Sequence, residues 1–202
     1  MVFGNDCRLP VHGDEVSQDH GACIVSIPEP ANLRPHDLAR VEIETWRGRC
    51  LNLFARIEKS VTETLMRLQD GNPKVPLEPL AGQRLKTLEG RMTEFPATPA
   101  QQQARQKALA SWRELDVMRP FFSHGILTEL IGRTGEWHLQ LDFIAVRKGK
   151  GEVQRLNWSK AEALAFEERL HAAFKALTNE LGQLRKAAAQ SGDKPDPGPS
   201  SG

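Results

Sequence analysis

The sequence has few of the features that mark secreted, membrane-spanning or highly basic proteins. Its three cysteines in 202 residues are too few and too scattered for a disulfide framework, which favours reduced thiols. No stretch approaches the ~20 consecutive apolar residues that a membrane helix needs. Residues 1–6 have neither the basic start nor the apolar run of a signal peptide. We therefore expect a cytoplasmic protein with no membrane partner.

An excess of one charge sign is also missing. Lysine and arginine total 27 against 26 aspartates and glutamates, so the formal net charge is +1 at pH 7. This balance excludes a surface that attracts nucleic acid as a whole, although it allows a local basic patch. The sequence contains no glycine-rich phosphate loop, HExxH helix, G-x-S-x-G elbow or paired CxxC. Without these motifs, the remaining candidates for a functional site are polar residues on otherwise apolar helix faces.

The two ends of the chain differ in composition from the region between them. Glycine and proline interrupt residues 1–36, which we predict to be irregular or partly disordered, with one short strand over residues 22–27. Residues 188–202 have the composition of a disordered tail. The folded domain is therefore expected to span residues 37–187.

Four cysteines and histidines in the N-terminal segment have side chains that are able to ligate zinc. They are Cys7, His12, His20 and Cys23. Their C-x4-H-x7-H-x2-C spacing matches no standard zinc finger closely, so we expect no metal site there.

Apolar residues recur at helical spacing through the middle of the chain. A first stripe over residues 46–68 stops at the Asp-Gly-Asn-Pro sequence of residues 70–73. A shorter helix is predicted after Pro79, and a third after the N-cap residue Thr98. Pro120 lies within the third stripe and predicts a kink or a division there.

The periodicity then changes from helical to alternating. Residues 137–146 and 153–158 have the pattern of strands, and residues 148–151 are suited to a turn between them. A Ser-x-x-Glu capping box at Ser159 begins the last helix. We therefore predict a mainly α protein, an antiparallel four-helix bundle with a β-hairpin at about residues 136–158 inserted before the last helix.

One charged residue lies within the apolar stripe of the third helix. Arg119 follows Leu115 by four positions and precedes Phe122 by three. A charge is rare at such a position unless it is paired or functional. His124 follows five positions later, roughly 140° around an ideal helix. A kink at Pro120, or a second subunit, would be needed to bring both side chains into one cleft.

The R-x4-H spacing of Arg119 and His124 near the end of a bundle helix resembles the HEPN superfamily (higher eukaryotes and prokaryotes nucleotide-binding domains). The glycine after His124, the strand-forming stretch and the capped last helix also resemble HEPN-related bacterial proteins. This resemblance covers about residues 37–187. It implies a metal-independent endoribonuclease without a cofactor, acting as a homodimer in a toxin–antitoxin or antiphage defence module. The antitoxin or another defence protein would be a partner. Pro120 departs from the family pattern, in which Asn, Asp or His is usual.

By this resemblance, His124 is the general acid/base and Arg119 stabilises the charge of the phosphate. Imidazole exchanges protons near neutral pH, and a guanidinium group holds two phosphate oxygens. The alternative is structural: Arg119 pairs with Asp116 or Glu58, and His124 ends a helix ahead of Gly125. The protein would then be a non-catalytic interaction or regulatory module.

Two further sets of residues are candidates for the site. Glu58 and Ser123 are candidates to support the motif. Alternatively, Glu58 is a solvated carboxylate and Ser123 bonds to the backbone of its own helix. Four basic residues around the hairpin turn would hold RNA phosphates if the hairpin flanks the cleft; otherwise they form a soluble turn that protects a sheet edge. This basic hairpin cluster consists of Arg147, Lys148, Lys150 and Arg155.

Apolar side chains beside the motif predict an interface. Phe121, Phe122 and Ile126 leave apolar surface to cover. We therefore expect a two-fold dimer that buries this part of the chain.

Overall fold

The computed structural model of the chain describes residues 34–71 and 74–192. The predicted strand over residues 22–27 and the four candidate zinc ligands lie outside the described residues, as do residues 193–202. No helix in the described part is long and apolar enough to cross a membrane. Nor does that part contain a group of three or more acidic, histidine or cysteine side chains placed to hold a metal ion.

The described chain forms four helices, then three consecutive strands, then a fifth helix. The helices are α1 (Pro35–Gly71), α2 (Ala81–Met92), α3 (Pro99–Asp116), α4 (Arg119–His124) and α5 (Lys160–Gly192), and the strands are β1 (Ile126–Ile131), β2 (Trp137–Arg147) and β3 (Lys150–Ser159). The protein is therefore mainly helical, as the apolar periodicity predicted.

The sheet is larger than predicted. Its three strands form an antiparallel sheet in the order β1-β2-β3, and β1 pairs with β2 from Ile126 opposite Asp142 to Ile131 opposite Trp137. The prediction of a two-stranded hairpin inserted before the last helix is therefore wrong, because a third strand covers the other edge of β2. A two-stranded hairpin is marginal in isolation, and the third strand widens the surface that packs on the helices.

Strand β1 was not predicted, because its sequence does not alternate between apolar and polar residues. Its residues read Ile-Leu-Thr-Glu-Leu-Ile, with apolar pairs at both ends and a polar pair in the centre. In the structure, every second residue is half-buried, including Glu129, whose carboxylate accepts a hydrogen bond from Arg40 Nε at 2.9 Å. Because Arg40 of α1 pairs with it, Glu129 occupies a half-buried position of the strand. An alternating pattern would place an apolar residue at such a position.

Pro120 divides the third predicted helix. α3 ends at Asp116, and Pro120 lies in the first turn of the separate six-residue helix α4, where its missing N–H needs no partner. The outer boundaries also differ from the predicted ones: α1 begins at Pro35, and α5 continues to Gly192, five residues into the segment assigned to the tail.

The hydrophobic core lies along the two long helices. α1 and α5 pack against each other, α2 packs on α1, and α3 packs on α5. The predicted stripe of α1 is buried throughout: Cys50, Phe54, Ile57, Val61, Leu65 and Leu68 are at most 4% exposed. Burial raises the pKa of the Cys50 thiol to about 12, so this cysteine is an inert core residue.

An aromatic cluster joins the helices to the sheet. Phe122 of α4 lies 5.3 Å from Trp46 of α1 and stacks on Phe166 of α5 with ring centroids 5.4 Å apart. Trp158 of β3 lies 4.8 Å from Phe166. The Trp46 indole N–H donates to the Ala163 carbonyl at 2.9 Å, which satisfies its polar atom in the core. Through Phe122, this cluster fixes the position of α4.

Candidate functional site

An open groove of about 710 Å³ lies between α1, α4 and the segment that enters α2. It brings together all the residues that the sequence assigned to catalysis or its support. Its lining comprises Glu58, Pro79, Leu80, Ala81, Gly82, Gln83, Arg119, Pro120, Ser123 and His124. Arg119 and His124 thus share one groove within a single chain, and they are the first and last residues of the same short helix. We refer to this feature as the α4 groove.

Arg119 lies between two carboxylates. Its Nη1 atom is 3.6 Å from Glu58 Oε2, and its Nε atom is 3.5 Å from Asp116 Oδ1, so it pairs with both residues that the structural alternative named. The side chain is 29% exposed. Both contacts are longer than ordinary hydrogen bonds, and the described residues offer its guanidinium no other acceptor. The carboxylates therefore hold the charge in place while its N–H groups stay available to an anion.

Asp116 has an altered acidity in this setting. Burial raises the pKa of Asp116, and the negative charge of Glu58 acts in the same direction, while Arg119 opposes both. The carboxyl at the inner side of Arg119 therefore takes up a proton more readily than a solvated aspartate.

Arg84 is a site residue that sequence analysis missed. Its Nη2 donates to Glu58 Oε1 at 2.5 Å, and its Nη1 donates to the carbonyls of Glu78 and Pro79 at 2.8 and 2.7 Å. Glu58 is therefore held between Arg84 and Arg119, and Arg84 also fixes the segment before α2 that lines the groove. No sequence signal marked Arg84, because its partner lies 26 residues away on another helix.

His124 is the last residue of α4 and is exposed. No hydrogen bond or ion pair engages its side chain within the described ranges, which leaves the imidazole available to a ligand. The hydroxyl of the neighbouring Ser123 donates to the Arg119 carbonyl at 3.0 Å. This is the backbone bond of the structural alternative, and it leaves the oxygen of Ser123 able to accept.

Arg47 of α1 fixes the backbone around His124. It donates to the Phe122 carbonyl from Nε at 3.3 Å and from Nη2 at 2.8 Å, and to the Gly125 carbonyl from Nη2 at 2.9 Å. Carbonyls at the end of a helix have no partner inside the helix, so a cation from another element satisfies them. Arg47 therefore sets where α4 ends and where His124 projects.

Gly125 follows His124 at a point with no room for a side chain. Its N–H donates to the Phe121 carbonyl at 3.1 Å, and a Cβ atom on Gly125 would lie 2.2 Å from the same carbonyl oxygen. The glycine after the histidine is thus required by close packing of the backbone.

The basic hairpin cluster does not reach the α4 groove: none of its four residues is in the groove lining. Arg155 binds both carboxylate oxygens of Asp142, at 2.9 and 3.1 Å, and Arg147 lies 4.0 Å from Glu152. The bond from Arg155 is the main reason that the pKa of Asp142 is lowered. The two lysines at the turn are exposed.

The predicted apolar interface is wrong in one of its residues. Phe122 is 0% exposed and belongs to the core, because the aromatic cluster covers it. Phe121 is half-buried and packs edge-on against Phe143 with centroids 5.0 Å apart. Ile126, which is 74% exposed, keeps the accessibility that a partner surface needs.

Comparison with known proteins adds no relative to this description. No family model matches the chain, and neither a curated protein nor a solved structure matches it.

Proposed function

We propose that this protein is a metal-independent endoribonuclease with the four-helix bundle of the HEPN type, serving as the toxin of a toxin–antitoxin or antiphage defence module. The observation that carries the proposal is the α4 groove, in which an exposed imidazole and a guanidinium with unused N–H groups line one surface. An RNA phosphate is the ligand that uses both groups, one for proton transfer and one for charge.

The proposed reaction is attack of a ribose 2′-oxygen on the adjacent phosphorus. His124 takes the proton from the 2′-hydroxyl or donates one to the departing 5′-oxygen. The bond from phosphorus to the 5′-oxygen breaks, and the products are a 2′,3′-cyclic phosphate and a free 5′-hydroxyl. A two-fold dimer would bring a second imidazole to the cleft, so that one copy acts as base and the other as acid.

Arg119 stabilises the negative charge that develops on the non-bridging oxygens. Glu58 and Asp116 hold the guanidinium in the groove before RNA binds, which removes part of the cost of ordering it. The same carboxylates compete with the phosphate for the guanidinium of Arg119. A protonated Asp116 carries no charge and competes less. Burial raises the pKa of Asp116, so this proton uptake begins at a higher pH than in a solvated aspartate.

RNA contacts beyond the groove are assigned to the basic hairpin cluster. Lys148 and Lys150 are exposed at the turn, whereas Arg155 is already engaged by Asp142. The lysines would add a salt-dependent phosphate contact without sequence preference.

The decisive experiment is cleavage of total RNA by the wild type, His124→Ala and Arg119→Ala. Each substitution should lower the cleavage rate by about 10²–10⁴-fold with the circular dichroism spectrum unchanged. His171→Ala is the matched control, since His171 is an exposed histidine of α5 outside the groove, and it should cleave at the wild-type rate. Products should carry cyclic phosphate, and EDTA should have no effect.

Three results would contradict the proposal in different ways. Equal cleavage by all variants would point to another site or a contaminating nuclease. Loss of activity in EDTA would exclude the metal-independent reaction. An inactive wild type would favour the second candidate, a non-catalytic interaction module.

That second candidate has its own supporting observation. Arg119 is already paired with two carboxylates, and Pro120 supplies no polar side chain to the groove. If Arg119 is only structural, Arg119→Ala lowers the melting temperature because Glu58 and Asp116 lose their shared partner. The catalytic proposal instead expects Arg119→Ala to lower the cleavage rate strongly while the melting temperature changes little.

A further inference from the structure

Arg105 of α3 is a buried arginine without an acidic partner. It is 5% exposed. Within the described residues its guanidinium makes one hydrogen bond, from Nη1 to the Met92 carbonyl at 3.3 Å, and its Nε atom is buried with no acceptor. Burying a charge without a counter-charge is strongly unfavourable, and native proteins rarely retain such a residue without a reason.

The same arginine lines a pocket of about 260 Å³ between α2 and α3. This pocket is separate from the α4 groove and shares no residue with it. Three apolar side chains and three neutral polar ones complete most of the wall: Met92, Leu109 and Ala110, and Thr93, Gln102 and Gln106. Such a mixture of apolar wall and few polar groups is typical of small-molecule sites.

The remaining charges on the wall belong to an ion pair. Glu89 accepts a hydrogen bond from Arg113 Nη2, so these two side chains neutralise each other. Arg105 is thus the one charge in the pocket lining that has no partner of opposite sign, and the pocket carries a single positive charge overall.

We propose that the α2–α3 pocket binds a small monoanionic carboxylate with an apolar body. The carboxylate would pair with the terminal Nη N–H groups of Arg105 that the Met92 carbonyl does not occupy, and the apolar body would contact Met92 and Leu109. A guanidinium and a carboxylate have complementary planar shapes. A phosphate dianion fits less well, because it brings two charges and more acceptors than one arginine satisfies. The volume is slightly below the ~300–1,000 Å³ of typical ligand pockets, which selects a compact ligand.

This proposal and a purely structural role for Arg105 predict opposite effects of one substitution. Arg105→Met keeps an unbranched apolar stem that reaches about as far as Nε, while it removes the charge. If Arg105 serves to bind a ligand, its unpaired charge is unfavourable in the ligand-free protein. Ligand-free Arg105→Met should then melt at the same temperature as the wild type or higher. If Arg105 serves mainly to cap the end of α2 through the Met92 carbonyl, the variant should melt lower.

Phenylacetate and octanoate are suitable probes, with phenylacetamide as the neutral counterpart. Calorimetry and the melting temperature should detect binding of at least one carboxylate to the wild type and none of the amide. Arg105→Met should weaken that binding at least ~10-fold, as loss of a charge-assisted hydrogen bond requires. Lys107→Met is the matched control: it removes one charge from α3 outside the pocket lining, and its affinity should be unchanged.

A second variant tests the pocket without touching the arginine. Ala110 is exposed at the pocket wall, so Ala110→Leu should fill the space and abolish binding while the melting temperature stays near that of the wild type. The proposal is wrong if neither carboxylate binds the wild type, whatever the effect of Arg105→Met on the melting temperature. Equal binding of phenylacetamide, or unchanged binding in Ala110→Leu, would equally overturn it.

Discussion

The α4 groove is built by contacts between distant parts of the chain, whereas the basic hairpin cluster is held by contacts within its own hairpin. Arg47 and the Phe122 carbonyl are 75 residues apart, and Arg84 and Glu58 are 26 apart. Arg155 and Asp142 are 13 apart on adjacent strands and partly exposed. Substitutions of the buried residues that hold the groove in place should therefore affect the whole fold, and those in the cluster should act locally.

The largest effect is expected for Phe122→Ala. This side chain is fully buried at the junction of α1, α4 and α5, and its loss leaves a cavity among rigid rings. We expect a loss of about 3–5 kcal/mol in the free energy of unfolding, measured by urea titration. Phe121→Ala, at a half-buried neighbour, should cost clearly less. Similar losses for both variants would show that α4 is not held through Phe122.

Gly125→Ala is expected to have the next largest effect. The added Cβ atom meets the Phe121 carbonyl oxygen at 2.2 Å, so the backbone after His124 must shift. A loss of about 1–3 kcal/mol is expected from thermal or urea unfolding, similar to that of overpacked cores. Gly48→Ala in α1 is the control: its Cβ would have no neighbour within 4 Å, and the helix should gain about 0.5–1 kcal/mol. A neutral Gly125→Ala would contradict the close approach.

Arg47→Met tests how the end of α4 is held. It removes three hydrogen bonds to the carbonyls of Phe122 and Gly125, and we expect a loss of about 1.5–3 kcal/mol in unfolding free energy. Faster amide hydrogen exchange at residues 122–125 should accompany it. Arg40→Met, which removes an exposed arginine of the same helix, should leave exchange in α4 unchanged. Unchanged exchange in both variants would argue against the role of Arg47.

The smallest effect concerns the basic hairpin cluster and depends on pH. The bond from Arg155 lowers the pKa of Asp142 in the folded protein. The pair therefore stabilises the fold at pH values above the unfolded pKa of aspartate, and this contribution disappears as the pH falls through the folded pKa. Asp142→Asn should melt slightly below the wild type at pH 7, and the gap should close in acid. Because the pair is exposed, salt should also narrow the gap. If the difference in melting temperature widened in acid instead, the pKa of Asp142 would not be lowered in the folded protein.

The helices and their caps were predictable because their signals are local. The apolar stripe of α1, the N-cap at Thr98 and the capping box at Ser159 are confirmed. Each depends on residues three or four positions apart, a distance that the helix itself determines. Arg119 was also found in this way, as a charge within an apolar stripe. The same rule would have found Arg105, which precedes the buried residues Ala108 and Leu109 by three and four positions.

The sequence by itself determined the approximate course of the long helices, the interruption at Pro120, and the place of Arg119 on an apolar face. Only the tertiary structure decided that β1 joins the sheet, that Glu58 and Arg119 meet, and that Arg47 and Arg84 hold the α4 groove. The physical reason is range: periodicity and capping act within one or two turns, whereas these contacts join elements between 26 and 89 residues apart. Packing of the buried aromatic side chains brings those elements together, and no local pattern encodes the result.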